Sequence, residues 1–188
     1  MRRLLLSVLP LALLLGCNTP VGTYRVDAAQ VLEASCNGVD SARTTSWVDS
    51  LNADPATDMQ IGSKAGEIQA QLQRGDGTVL YAPVTDAGDN TWGGSRFVEA
   101  TNTSDALLGS DFSGLLEVDG ICTFDLTIEV DLDFGEEGFD SVSGRFRATL
   151  DEADGATPCD IQSCTALFGV GAARTSSVDP GVQSLPDE

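Results

Sequence analysis

Five carboxylates, Asp131, Asp133, Glu136, Glu137 and Asp140, crowd ten consecutive residues. Hard cations such as calcium take six to eight oxygen ligands, so this density is the first chemistry the chain suggests. The spacing departs from a helix-loop-helix calcium loop, because Gly135 stands where a third acid is needed and both flanks read as strands. A charged hairpin tip explains the same residues without a metal. Two facing carboxylates would also serve glycoside hydrolysis, but the acids that can be placed here fall on the outward face of a regular strand, where nothing separates their pKa values. With no histidine in the chain, neither a Ser-His-Asp nor a Cys-His arrangement can be assembled. No catalytic, cofactor-binding or metal-ligating residue is assigned, and the chain is expected not to be an enzyme.

The N-terminus carries an address. Met1-Arg2-Arg3 is followed by an apolar run from Leu4 to Leu15, broken by Pro10 and closed by Gly16. That run is too short to span a bilayer and has the shape of a secretory signal peptide. The sequence Leu14-Leu15-Gly16-Cys17 resembles the lipobox of bacterial lipoproteins. The resemblance, which covers residues 1 to 17 only, implies cleavage before Cys17 and lipid on that cysteine. Asn18 is not the aspartate that retains some members in the inner membrane, so the outer membrane is implied. Residues 17 to 22 then form a lipidated N-terminus with a short tether, five residues reaching about 17 Å.

In an exported domain the remaining cysteines, Cys36, Cys122, Cys159 and Cys164, read as two disulfides with three possible connectivities. Cys159 with Cys164 as a local clip, leaving Cys36 to bridge Cys122, is the favoured pairing. One close cysteine pair and no histidine make a poor zinc site.

The elements that position these groups are mostly strands. From Cys122 to Phe134, apolar Cys122, Phe124, Leu126, Ile128, Val130, Leu132 and Phe134 alternate without a fault with polar residues, the period of a half-buried strand. A straight strand of that length would span roughly 43 Å, so the sheet must curl. A run from Phe112 to Val118 is expected to pair with it through a tight turn. Downstream, Val142 to Leu150 alternates likewise, and pairing Phe134 with Val142 sets Arg145 opposite Asp131 and Arg147 opposite Glu129.

Glu67 to Gln73 and Thr78 to Ala82 form a hairpin whose turn, Arg74-Gly75-Asp76-Gly77, contains an adhesion tripeptide, though a turn needs glycine and aspartate anyway. Further strands are expected at Thr23 to Asp27, Val31 to Cys36, Ser95 to Thr101 and Ser163 to Ala172, and a short helix at Asp40 to Asn52 with Trp47, Val48 and Leu51 inside. Trp92-Gly93-Gly94 reads as a loop whose tryptophan lines a barrel mouth or caps the core.

After the leader, 8 basic residues face 29 acidic ones, a formal charge near −21, which excludes nucleic acid as a partner. Regular alternation argues for folding despite that charge. The expectation is an all-β chain: a signal peptide over 1–16, a single β-domain over 23–174 and a disordered acidic tail over 175–188. Its architecture is an antiparallel meander closing into a lipocalin-like β-barrel, with a β-sandwich as the alternative. The expected role is a cell-envelope lipoprotein that binds or supports another envelope component. Its alternatives are a carrier of a small apolar ligand, to which inward Gly114, Gly144 and Ala148 would lend space, and a calcium-binding surface domain.

Overall fold

The computed structural model describes residues 19–38, 41–75, 79–102, 123–136, 138–153 and 162–181. Within them lie eight strands and one helix: β1 (Gly22–Asn37), α1 (Ser41–Ala53), β2 (Ala56–Lys64), β3 (Glu67–Arg74), β4 (Val79–Gly88), β5 (Thr91–Asn102), β6 (Thr123–Asp133), β7 (Ser141–Glu152) and β8 (Ser163–Ser176). Each strand pairs antiparallel with the next and β8 returns to β1, giving a closed, lipocalin-like meander barrel rather than a sandwich.

The β6–β7 register is the one the charges require. Asp131 lies opposite Arg145 and Glu129 opposite Arg147, with Arg147 Nε 3.7 Å from the Glu129 carboxylate. Both partners are exposed, so this pair contributes about 0.2–1 kcal/mol and tunes register more than stability. Both edges of β6 are occupied, one by β5 and the other by β7. The expected hairpin of Phe112–Val118 with this strand is therefore corrected. Alternation reports which face a residue takes, not which strand lies beside it; residues 112–118 themselves lie outside the described residues.

The two short strands expected at Thr23–Asp27 and Val31–Cys36 are one strand, β1. Its pairing with β8 slips at Asp27 and again at Leu32, so each is a bulged residue. Each bulge resets the alternation. Val26, Ala29, Val31, Ala34 and Cys36 all pack against the core although no single period connects them. Strand β2 had no strong signal, because only Met59 and Ile61 alternate clearly and a further irregularity falls between Ala56 and Asp58. Trp92 is in strand, not loop: it is the second residue of β5, faces inward opposite Leu132 and is 8% exposed.

At one end of the barrel sit Gly22, the end of β8 and two tight hairpin turns. Ala65-Gly66 and Asp89-Asn90 each connect paired strands in two residues with positive φ throughout, the geometry that matches strand twist. The other end carries α1, whose Trp47 and Leu51 are buried and whose Val48 packs beside them, as the sequence periodicity indicates.

The ladder between β4 and β5 holds only Thr85–Gly88 against Thr91–Gly93. Pro83, with no N–H to donate, lies just past its end. Beyond it, Arg96 lays its guanidinium 4.0 Å over the Tyr81 ring.

The disulfide expectation is corrected as well. Cys36 bonds Cys164, the two Cα atoms 4.1 Å apart, because β1 and β8 place these residues directly opposite each other. Neither Cys159–Cys164 nor Cys36–Cys122 is compatible with that bond. Cys17, Cys122 and Cys159 lie outside the described residues. Non-reducing peptide mapping should recover a Cys36–Cys164 cross-linked peptide, and replacing both with serine should lower unfolding free energy by about 2–5 kcal/mol, given a loop of 128 residues.

Candidate functional site

A barrel can hold a site in three places: its axis, its outer wall and, here, the end where the described chain enters and leaves.

The axis is filled. Tyr24, Phe124, Phe146, Met59, Ile61, Leu72, Leu80 and Leu126 point inward and are at most 2% exposed. A side chain lining a water-sized void would keep accessible surface, so these line none. An eight-stranded barrel is just wide enough for side chains to fill it. Gly144 and Ala148, read from sequence as possible space in a lumen, provide none. Ala148 has no exposed surface, and a Cβ on Gly144 would stand 2.7 Å from Leu132 Cδ2, 3.3 Å from the Asp131 carbonyl oxygen and 3.4 Å from Val170 Cγ2. Gly114 lies outside the described residues.

The placement of Arg74 in the exposed hairpin turn is corrected too, since it is the last residue of β3. Arg74 is 2% exposed, donates from Nη2 to the Leu51 carbonyl at 3.0 Å and lies 5.0 Å over the Phe168 ring. Helix α1 has no basic residue in its last turn, so Arg74 supplies from β3 the cation that its C-terminal carbonyls favour. This role was missed from sequence, yet a signal was present: Arg74 continues the inward series Ile68, Ala70, Leu72.

The outer wall carries a shallow trough. Across five strands the register aligns Gly93, Asp131, Arg145, Gly169 and Gln30, and beside them Thr91, Asp133, Ser143, Gly171 and Ala28. Short or absent side chains at both ends of these rows leave two hollows of about 740 and 500 Å³ that meet at Gly144 and Arg145. Leu32, displaced outward by its bulge, folds over Gly169, where an added Cβ would meet its Cδ1 at 2.9 Å. Arg145 is the cation of the trough, with Asp131, Asp133 and Asp27 around it. Such a surface suits an extended or flat partner more than a small molecule, which takes an enclosed pocket.

The acidic segment is spread over strand and turn. Asp131 belongs to the trough, while Asp133 Oδ1 accepts the Gly135 N–H at 2.9 Å and so shapes the turn. Among the described residues no three His, Cys, Asp or Glu side chains converge as metal ligands.

At the terminal end the chain is clasped. Buried Tyr24 donates its hydroxyl to the Pro20 carbonyl at 2.7 Å, and Arg174 donates to the Val21 carbonyl. Thr175 Oγ1 donates to the Thr23 carbonyl at 3.1 Å. Disorder from residue 175 is corrected for the described part of the tail: β8 runs through Ser176, and Asp179 accepts hydrogen bonds from the hydroxyl and the N–H of Ser63. The Ser63 hydroxyl, then backbone N–H groups, hold the Asp179 carboxyl below its usual range. Burial pushes Tyr24 up to about 12, with Arg174 pulling back in part and Asp140 adding to the rise. Residues 182–188 lie outside the described residues.

No protein-family model matches this chain, and neither a curated protein nor a solved structure matches it.

Two outcomes follow from this geometry. Gly144→Val should destabilise the barrel by about 1–3 kcal/mol through overpacking, read as a fall of several degrees in Tm, whereas an open lumen would leave Tm unchanged. In an alkaline titration followed by phenolate absorbance, the Tyr24 step should come near pH 12 and vanish in Tyr24→Phe. Because its pKa is raised on folding, the stabilisation it contributes is full below pH 10 and is lost as pH rises through about 12.

Proposed function

We propose that this chain is a lipid-anchored protein of the bacterial outer membrane, held by lipid on Cys17, with a non-catalytic role: it docks on another envelope component through the outside of its barrel. The observation that carries the docking role is the filled axis, since a barrel with no lumen must present its outer wall or rim to a partner. The leader and lipobox resemblance support the anchor, and the clasp at Pro20 and Val21 gives a lipidated N-terminus a firm point of attachment. The outer trough around Arg145 offers the partner-facing wall. A carrier would need interior space that the described side chains occupy, and a calcium domain would need acids that converge.

Metabolic labelling with a tagged fatty acid should mark the wild-type chain in its host and leave Cys17→Ser unmarked. Native mass spectrometry of the gently purified Cys17→Ser domain should return the bare polypeptide mass, less two hydrogens per disulfide. An unlabelled wild-type chain would overturn the anchor. An added small-molecule mass that survives chelation would overturn the docking role in favour of a carrier.

A further inference from the structure

The clasp sets the distance and direction of the anchor. Pro20 is buried and Pro20 and Val21 are both hydrogen-bonded to the barrel, so only three residues of chain, counted from Cys17, precede the first clasped position. Three Cα steps reach about 10 Å. Strand β6 alone, with 11 residues, measures about 36 Å along its length and, tilted as barrel strands are, makes the barrel some 25 Å tall. The tether is therefore much shorter than the body it holds.

We infer that the terminal end of the barrel, with the Ala65-Gly66 and Asp89-Asn90 turns, is apposed to the lipid surface, and that α1 and the Arg74 end point away from it. This rests on the lipid-anchor reading. Two further features fit this orientation. The same end carries Val178, the most exposed large apolar side chain among the described residues at 73%, placed beside the clasp by the Asp179–Ser63 contact. Of the three connections at that end two are two-residue turns and the third, β6 to β7, is residues 134–140, while the longest connections, β1 to β2 through α1, β5 to β6 and β7 to β8, leave from the opposite end. The rim around these turns is acidic, with Asp86, Asp89, Asp133, Glu136 and Asp140 exposed. Charge attraction to anionic headgroups does not hold it down; the covalent anchor does.

The chain's two tryptophans report opposite ends: Trp92 beside the Asp89-Asn90 turn and Trp47 in α1, 8% and 3% exposed. The full lipidated protein, as Trp47→Phe and as Trp92→Phe, is reconstituted into phosphatidylcholine vesicles containing a lipid with a nitroxide on its headgroup. Trp92 fluorescence should be quenched several-fold more than that of Trp47. Equal quenching, or stronger quenching of Trp47, overturns the orientation. Should either variant fail to fold, amide exchange on the wild-type protein serves: reconstitution should slow exchange in the 64–67 and 88–91 turns and leave α1 unchanged, and slowing in α1 instead overturns the proposal. Fatty-acid mass and flotation with vesicles are read on the same samples. A chain without lipid mass that does not float removes the anchor and the orientation together, while a lipidated, floating chain with Trp47 nearer the headgroups removes the orientation alone.

Discussion

The structure depends on one pairing, that of the first strand with the last. β1 must find β8 across nearly the whole chain, and loop closure of that span is entropically costly before any contact compensates for it. Once made, this pairing converts an open meander into a barrel without edges, which removes the exposed ladder groups that would recruit other chains. It also brings Cys36 opposite Cys164, and the disulfide holds the seam at the end far from the termini. At the near end the same pairing sets Thr175 and Arg174 against the entering chain, so closure and clasp are two ends of one seam.

Closure also decides what the interior can do. Eight strands enclose a space that large side chains fill, and Phe124, Phe146 and Tyr24 fill it. Helix α1 is tied to the end of β3 by Arg74, which meets the helix carbonyls and lies over Phe168 at once. A buried guanidinium is tolerable because hydrogen bonding and an aromatic face replace its water. With the axis solid and one end capped, the outer wall and the rim are the surfaces the barrel presents. Both are acidic, and glycines and bulges hollow the wall.

Much of the fold is legible in the chain, for reasons that differ by element. β6 and β7 alternate strictly, and two arginines facing two carboxylates set their register, so local pattern and cross-strand charge agree. Trp47, Val48 and Leu51 show the helical face of α1 just as directly. β1 reads as two strands because bulges at Asp27 and Leu32 interrupt its period, and a bulge is dictated by the partner strand rather than by composition. β2 is nearly silent because it has few large apolar residues. The tail after residue 175 is rich in small, polar and acidic residues, with only Val178, Val182 and Leu185 apolar besides its prolines, which reads as disorder; the Ser63–Asp179 contact that orders its first part joins residues 116 positions apart and leaves no local trace.

The sequence by itself determined the class of fold: alternation made it β, strand length made it curl, and the absence of histidine removed whole families of catalysis. These are properties of composition and near neighbours, which the chain carries whatever its fold. Only the tertiary structure decided the cysteine pairing, the burial of Arg74, the filling of the axis and the clasp on Pro20 and Val21. Each of these depends on which distant strand lies alongside, and that is set by barrel closure, where the packing of one interior selects among registers that local sequence leaves open.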